Sequence, residues 1–417
     1  MTARYQVKDF PADDLENVIY DIVKRVVDHH PVLGITIADE LSPRPSFARL
    51  AEIDLGRIVR FTDRTDVRTT IEDTHQDPFE CGGLPLWRLV VSRPVGDFMY
   101  VSFFVHHGVC DGTSGVAFHH TFLNALNDVL ETFDVHNPHD TLIAVPKIDL
   151  LPSLEQAHSL PLSPWYVISE VIKSWRKPDP EFWTGAPISP TPNVTCLRLA
   201  FLSNSQITAI NQCCRGFGVT FTALLTVLIA RALMKCLPHV RRFNCRTAMS
   251  FRRFTGTDQK AMVCYVTSFG HRFSSSSQSN YIPCGDFSWD AVTACHREIK
   301  AATSNSRDHI VGLLRFVRDY EGFFWKQVGQ PRQASFEVSN VGVMDAEEGR
   351  ARIDRIIFSQ SSNVIGAALA FSIASVKGGD LAISLTWQKG IVEEDLAEKV
   401  LKVLEEELGS FARSPLN

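Results

Sequence analysis

Three things are missing from this 417-residue chain: a long apolar run, a paired cysteine motif and a block of one charge. The longest helical apolar stretch, Phe221 to Ala230, ends at Arg231 and is too short to cross a bilayer, so no membrane span is expected. The ten cysteines contain no CxxC pair and one vicinal pair, Cys213-Cys214. That excludes a zinc framework and a disulfide scaffold, and it points to small buried thiols in a reducing compartment. The net charge of -5 is dispersed, with no basic block for nucleic acid and no acidic tail. The opening residues carry no apolar signal core, so the expected location is cytoplasmic. What the chain does have is phenylalanine, 27 residues of it, which fits apolar pockets or an aromatic core.

A chain of this length is expected to fold as two domains. Residues 13–29 have the spacing of an amphipathic helix, with Leu15, Val18, Ile19, Ile22, Val23, Val26 and Val27 on one face. Val32 to Ala38, Gly56 to Phe61 and Pro85 to Ser92 read as strands. Ten prolines between Pro138 and Pro192 mark an irregular crossover. Beyond it, Ser203 to Gln206 fits a capping box, and Thr220 to Leu237 is a helix apolar on most sides. Strands follow at Arg246 to Arg253 and Ala261 to Phe273, with a polar loop at Ser274 to Asn280. Ser288 to Thr303 is helical. Four more strand candidates start at Ala334, Arg352, Ala367 and Leu381, before a last amphipathic helix at Glu393 to Leu408, with Gly409 as its stop. Both halves mix strands and helices. The expected class is α+β, in two layers per half, rather than one doubly wound sheet. The boundaries are 1–140 for the first half, 141–194 for the crossover and 195–417 for the second half.

The most informative stretch is Phe98 to Asn127. Phe98 to Val105 is a nearly unbroken apolar run, which reads as a strand buried on both faces. From Thr113 onward Val116, Phe118, Phe122, Leu123, Leu126 and Leu130 make a broad helical apolar face. Between them lies His106-His107-Gly108-Val109-Cys110-Asp111-Gly112. Histidine titrates nearest neutrality and suits proton abstraction. Adjacent strand residues point to opposite faces, so His106 and His107 cannot both face one site. One serves chemistry and the other packing, and a metal would need more convergent ligands than the stretch offers. Asp111 precedes a helix, where a carboxylate caps backbone N–H groups. Gly112 allows a backbone conformation that other residues resist and a close approach to substrate. The pair His-His alone carries nothing, since it also occurs at His29-His30 and His119-His120. The information is in the whole spacing HHxxxDG at a strand-to-helix turn.

HHGVCDG resembles the signature of the HHxxxDG acyltransferase superfamily, which includes alcohol acetyltransferases and the condensation domains of peptide synthetases. Leu84 to Arg88, Met249 to Phe254, Met262 to Thr267, Phe336 to Gly342 and Leu381 to Gly390 resemble further segments of these families. The resemblance spans about residues 15–408, and the alcohol acetyltransferase branch fits best. The DFGWG segment of the plant BAHD enzymes is absent.

The resemblance implies a chloramphenicol acetyltransferase-like fold, in which two similar halves form a V with a tunnel between them. It implies that His107 is the general base, and that Asp111 points away to pair with Arg252, or failing that Arg253. The reaction it implies passes an acyl group from a thioester to a small-molecule alcohol without a covalent acyl-enzyme, with Ser339 or Asn340 as oxyanion donor. The expected co-substrate is acyl-CoA, its phosphates met by Arg241, Arg242 or Lys300. No bound cofactor and no metal are expected. A carrier-protein donor, an amine acceptor and a noncatalytic binding module of the same fold are the competing expectations.

Overall fold

The computed structural model describes residues 1–8, 10, 14–42, 44–132, 140–175, 179–276, 281–345 and 349–413. Pro138, Pro178 and the end of the polar loop at 277–280 lie outside them. The first half runs β1 (Thr2–Val7), α1 (Leu15–His29), β2 (Ile35–Ala38), β3 (Ser46–Arg49), β4 (Glu52–Asp54), α2 (Leu55–Ile58), β5 (Val59–Thr62), α3 (Val67–Gln76), β6 (Trp87–Ser92), β7 (Phe98–Val105) and α4 (Gly112–Thr132). The crossover holds β8 (Leu142–Ala144), α5 (Leu154–Ala157) and α6 (Pro164–Trp175). The second half opens with β9 (Thr195–Leu202), α7 (Asn204–Gly216), α8 (Phe221–Cys236), β10 (Arg242–Ser250), α9 (Arg252–Thr255), β11 (Val266–Ser274) and β12 (Ile282–Pro283). It closes with α10 (Trp289–Thr303), α11 (Tyr320–Trp325), β13 (Phe336–Met344), β14 (Ala351–Ile357), β15 (Leu369–Val376), β16 (Leu381–Gln388) and α12 (Glu394–Arg413).

Two main sheets carry the molecule. The first has the order β14-β1-β7-β6-β5, and the second β12-β11-β10-β13-β15-β16-β9. The first sheet therefore takes an edge strand from the far end of the chain. Parallel neighbours need a crossover connection. β13 and β15 are parallel neighbours in the second sheet, and the chain between them leaves to pair β14 antiparallel with β1, from Thr2↔Ile357 to Val7↔Ala351. A boundary at residue 195 thus separates the two halves in sequence but not in space.

The apolar run of β7 is explained by what lies on each side. Phe103 faces the first core and stacks on Phe118 of α4, ring centroids 3.9 Å apart. Phe104 faces the other way. With Val90 and Ile71 it packs against Leu197 of β9 and Ala382 of β16. The strand is sandwiched between its own core and the second half, so its side chains are almost all apolar, and its buried Ser102 is satisfied by the Thr2 hydroxyl at 3.0 Å. The second core lies beneath α7, α8, α10 and α12. There α8 is buried almost all round, and its cap is Thr220, whose hydroxyl accepts from the Ala223 N–H at 3.3 Å. The capping box read at α7 is formed, with Ser203 N–H donating to Gln206 Oε1 at 2.9 Å. Gly409 does not end the last helix; α12 continues to Arg413.

Candidate active site

β7 ends at Val105 and α4 begins at Gly112, so the motif residues form the turn between a buried strand and a long helix. His106 turns inward. Its backbone N–H donates to Leu86 O at 2.9 Å, its Nδ1 accepts from the Gly108 N–H at 3.1 Å, and its ring stacks edge-on to Phe79. Burial lowers its pKa, because the charged form is the one that loses water. His107 is the exposed member of the pair. Its Nδ1 lies 2.9 Å from the carbonyl oxygen of Cys110. A carbonyl can only accept, so Nδ1 must carry the proton. In the neutral ring that leaves Nε2 with a free lone pair, and Nε2 has no protein partner among the described residues.

Asp111 faces away from that lone pair. Its carboxylate takes a two-pronged ion pair from Arg252, Nη1 to Oδ2 at 2.6 Å and Nη2 to Oδ1 at 2.9 Å. The N–H of Ser114 donates to Oδ1 at 3.0 Å, as an α4 cap, and the N–H of Tyr265 to Oδ2 at 3.1 Å. Both side chains of the ion pair are buried. Arg252 also donates to the carbonyls of Ala261 and Val263. The Ser114 hydroxyl lies 2.8 Å from Val263 O and accepts from Val263 N–H. This knot joins the halves: Asp111 and Ser114 come from the first, Arg252, Val263 and Tyr265 from the second. Arg253 takes no part in it.

Of the two reasons read for Gly112 in the sequence, the unusual backbone conformation does not hold: the residue is not among the glycines with positive φ. A Cβ there would meet Val341 Cγ1 at 2.7 Å and Phe358 Cζ at 2.8 Å, both from the second half. The constraint is space at the interface.

Val341 belongs to β13, the strand that carries Ser339 and Asn340. Phe336 and Val338 point into the second core, so Glu337 and Ser339 occupy the face toward the first half. The Ser339 hydroxyl makes no hydrogen bond among the described residues. Asn340 is engaged: its Nδ2 donates to Thr222 Oγ1 at 3.0 Å and its Oδ1 accepts from Gly342 N–H at 2.9 Å. The sequence reading passed over Glu337, although a lone acid in Phe-Glu-Val-Ser was the available signal. Burial raises the pKa of its carboxyl, and Arg246 and His107 pull in the opposite direction.

Beside Asn340 a cavity of about 260 Å³ is lined by Thr220, Thr222, Ser250, Arg253, Phe269 and Thr303. It opens at the N-terminus of α8, where unpaired N–H groups favour an anion. The three cations expected to meet phosphate are elsewhere engaged or outside it. Arg242 pairs with Asp179 and Glu181. Arg241 and Lys300 are exposed and do not line the cavity. A larger cavity, about 420 Å³, lies in the first half among Arg57, Arg60, Asp77 and Arg88 and does not include His107.

Fold and site define an acyltransferase of two halves joined at an HHxxxDG turn. Comparison with known proteins gives the family. The family model for alcohol acetyltransferase matches residues 77–408. A probable alcohol acetyltransferase of Aspergillus fumigatus, crmB, is 27% identical over 96% of this chain and 92% of its own. Another probable alcohol acetyltransferase, FCK4 of Fusarium pseudograminearum, is 26% identical over 95% of this chain and 86% of its own. Among solved structures, the first condensation domain of the CDA synthetase superposes with a TM-score of 0.63 at 12% identity, covering 100% of this chain and 91% of that one. The chain belongs to the alcohol acetyltransferase family.

Proposed function

We propose that the protein moves an acyl group from an acyl-CoA thioester to the hydroxyl of a small, largely apolar alcohol, with His107 as general base. The observation that carries this is the Cys110 carbonyl on His107 Nδ1. It holds the tautomer in which Nε2 is basic, on the exposed edge of the ring. In the reaction the alcohol O–H gives its proton to Nε2 while its oxygen adds to the thioester carbonyl. The tetrahedral oxyanion then collapses, the C–S bond breaks, and Nε2 returns the proton to the leaving thiolate. The products are an ester and free CoA.

Ser339 suits the oxyanion better than Asn340, because its hydroxyl is unengaged while the Asn340 amide already serves Thr222. A coenzyme A donor is supported by the cavity at the start of α8, where Arg253 adds a cation to the helix N-terminus. Asp111 works through structure: it holds the turn that carries Cys110 O and His107. The experiment is incubation of the purified protein with acetyl-CoA and longer acyl-CoAs against a panel of alcohols and amines, with mass spectrometry of the product. An ester with equimolar free thiol supports the reading. An amide as the sole product, or thiol release with no acylated product, contradicts it.

A further inference from the structure

Strand register places Glu337 in a wall where several polar groups lack partners. Across the second sheet Glu337 is paired with Arg246 on β10 and Ala370 on β15, and Ala370 with Thr386 on β16. One row along, Ser339 is paired with Ser372, and Ser372 with Ser384. Cross-strand neighbours point to the same face. That this face looks at the first half follows from its flanking members. Ala382 packs on Val90 and Phe104, and Ala374 and Val376 belong to the first core. At its far end Val341 abuts Gly112, two residues beyond Ser339 and four beyond Glu337. At about 3.3 Å per residue, Glu337 lies some 13 Å along the strand from the turn that carries His107.

The Ser372 hydroxyl accepts from Gln360 Nε2 at 3.1 Å, but the other polar groups of this wall are under-used. The Ser384 and Thr386 hydroxyls are buried with no hydrogen-bond partner. Glu337 makes no hydrogen bond and no ion pair among the described residues. Arg246 beside it donates to Gln333, not to the carboxylate. A carboxylate in such surroundings gains most from a ligand that brings it a donor.

Taking the acyl-transfer reading as given, we infer that Glu337 binds the acceptor alcohol through a second donor group, so that the acceptor class is an alcohol bearing another hydroxyl or a protonated amine. The acceptor then spans from Nε2 of His107, which takes the reacting proton, to the Glu337 carboxylate, which holds the far end. Ala370, with its small side chain, stands beside Glu337, and the half-buried Ser339 offers a free hydroxyl on the same face, while Ser372 and Ser384 are buried.

The test compares matched acceptors with acetyl-CoA: 1-butanol to 1-octanol, the α,ω-diols of the same lengths, and the corresponding amino alcohols. In the wild type at least one chain length is expected to show kcat/KM at least about tenfold higher for the diol or amino alcohol than for the mono-alcohol. Glu337→Ala should bring that ratio close to one. Glu337→Gln keeps the shape and one acceptor oxygen but loses the charge. It should reduce the amino-alcohol preference more than the diol preference, and it serves if the alanine variant does not fold. Equal ratios for wild type and both variants overturn the inference while leaving acyl transfer intact. So does a wild type that prefers mono-alcohols at every length. No acylation of any alcohol overturns the acyl-transfer reading, and the inference with it.

Discussion

Replacing Asp111 by alanine should unfold the junction between the halves before it affects chemistry directly. The substitution removes a carboxylate that accepts four N–H groups: two from Arg252, one from Ser114 and one from Tyr265. Arg252 stays buried with its neutral partners, the Ala261 and Val263 carbonyls, but without a counter-charge. A buried pair adds little net stability compared with an apolar pair of the same shape, yet breaking it from one side removes about 3–5 kcal/mol. The lost cap on α4, worth about 1 kcal/mol, is part of that figure. The assay is urea unfolding of the wild type, Asp111→Ala, Arg252→Met and the double variant. Because the double variant leaves no orphaned charge, it should be less destabilised than the sum of the singles, by about 2 kcal/mol or more. An Asp111→Ala protein within about 1 kcal/mol of wild type that has nonetheless lost turnover would refute the structural role and favour a direct one.

Three other outcomes are expected. Gly112→Ala drives a methyl into Val341 and Phe358, and the overpacked interface should lose about 1–3 kcal/mol in the same unfolding assay; an unchanged midpoint would contradict the spatial reading. His30 and His119 are buried and His75 is half-buried, and loss of water pushes the pKa values of His30, His75 and His119 down to about 4, 3 and 3. Above pH 6.5 these histidines are neutral in both states; below it the unfolded chain takes up protons that the folded one refuses, so stability should fall by up to about 1.4 kcal/mol per pH unit for each histidine. Unfolding midpoints at pH 7.5, 6 and 5 check this, and a flat series would count against it. Arg253→Ala should raise the KM for acyl-CoA with little change in that for the alcohol, and an unaltered donor KM would move the donor away from the α8 cavity.

Much of this was legible in the residues. The turn HHGVCDG stood out because a doubly buried strand such as β7 has almost no polar residues, so whatever follows it is conspicuous. The resemblance put Arg252 ahead of Arg253 as the partner of Asp111 by position alone. Only the fold shows that Arg252 turns into the interface, while its neighbour lines a cavity. For Gly112 the backbone part of the reading failed, and the close approach is to Val341 and Phe358, neighbours that one chain's sequence cannot name. The exchange of β14 was invisible: a strand pattern records which faces are buried, not which sheet buries them. The Cys110 carbonyl that sets the His107 tautomer is a backbone atom and leaves no trace in the sequence at all. Glu337 was in plain view within Phe336 to Gly342, but its meaning depends on Arg246 and His107, distant in the chain.

The central claim is that His107 Nε2 takes the acceptor proton. It is tested most directly by the turnover of His107→Ala with acyl-CoA and an alcohol, read as free thiol and ester, on protein whose unfolding midpoint matches the wild type. The account predicts a loss of about 10²–10⁴-fold in kcat. A folded variant that keeps full turnover would contradict it.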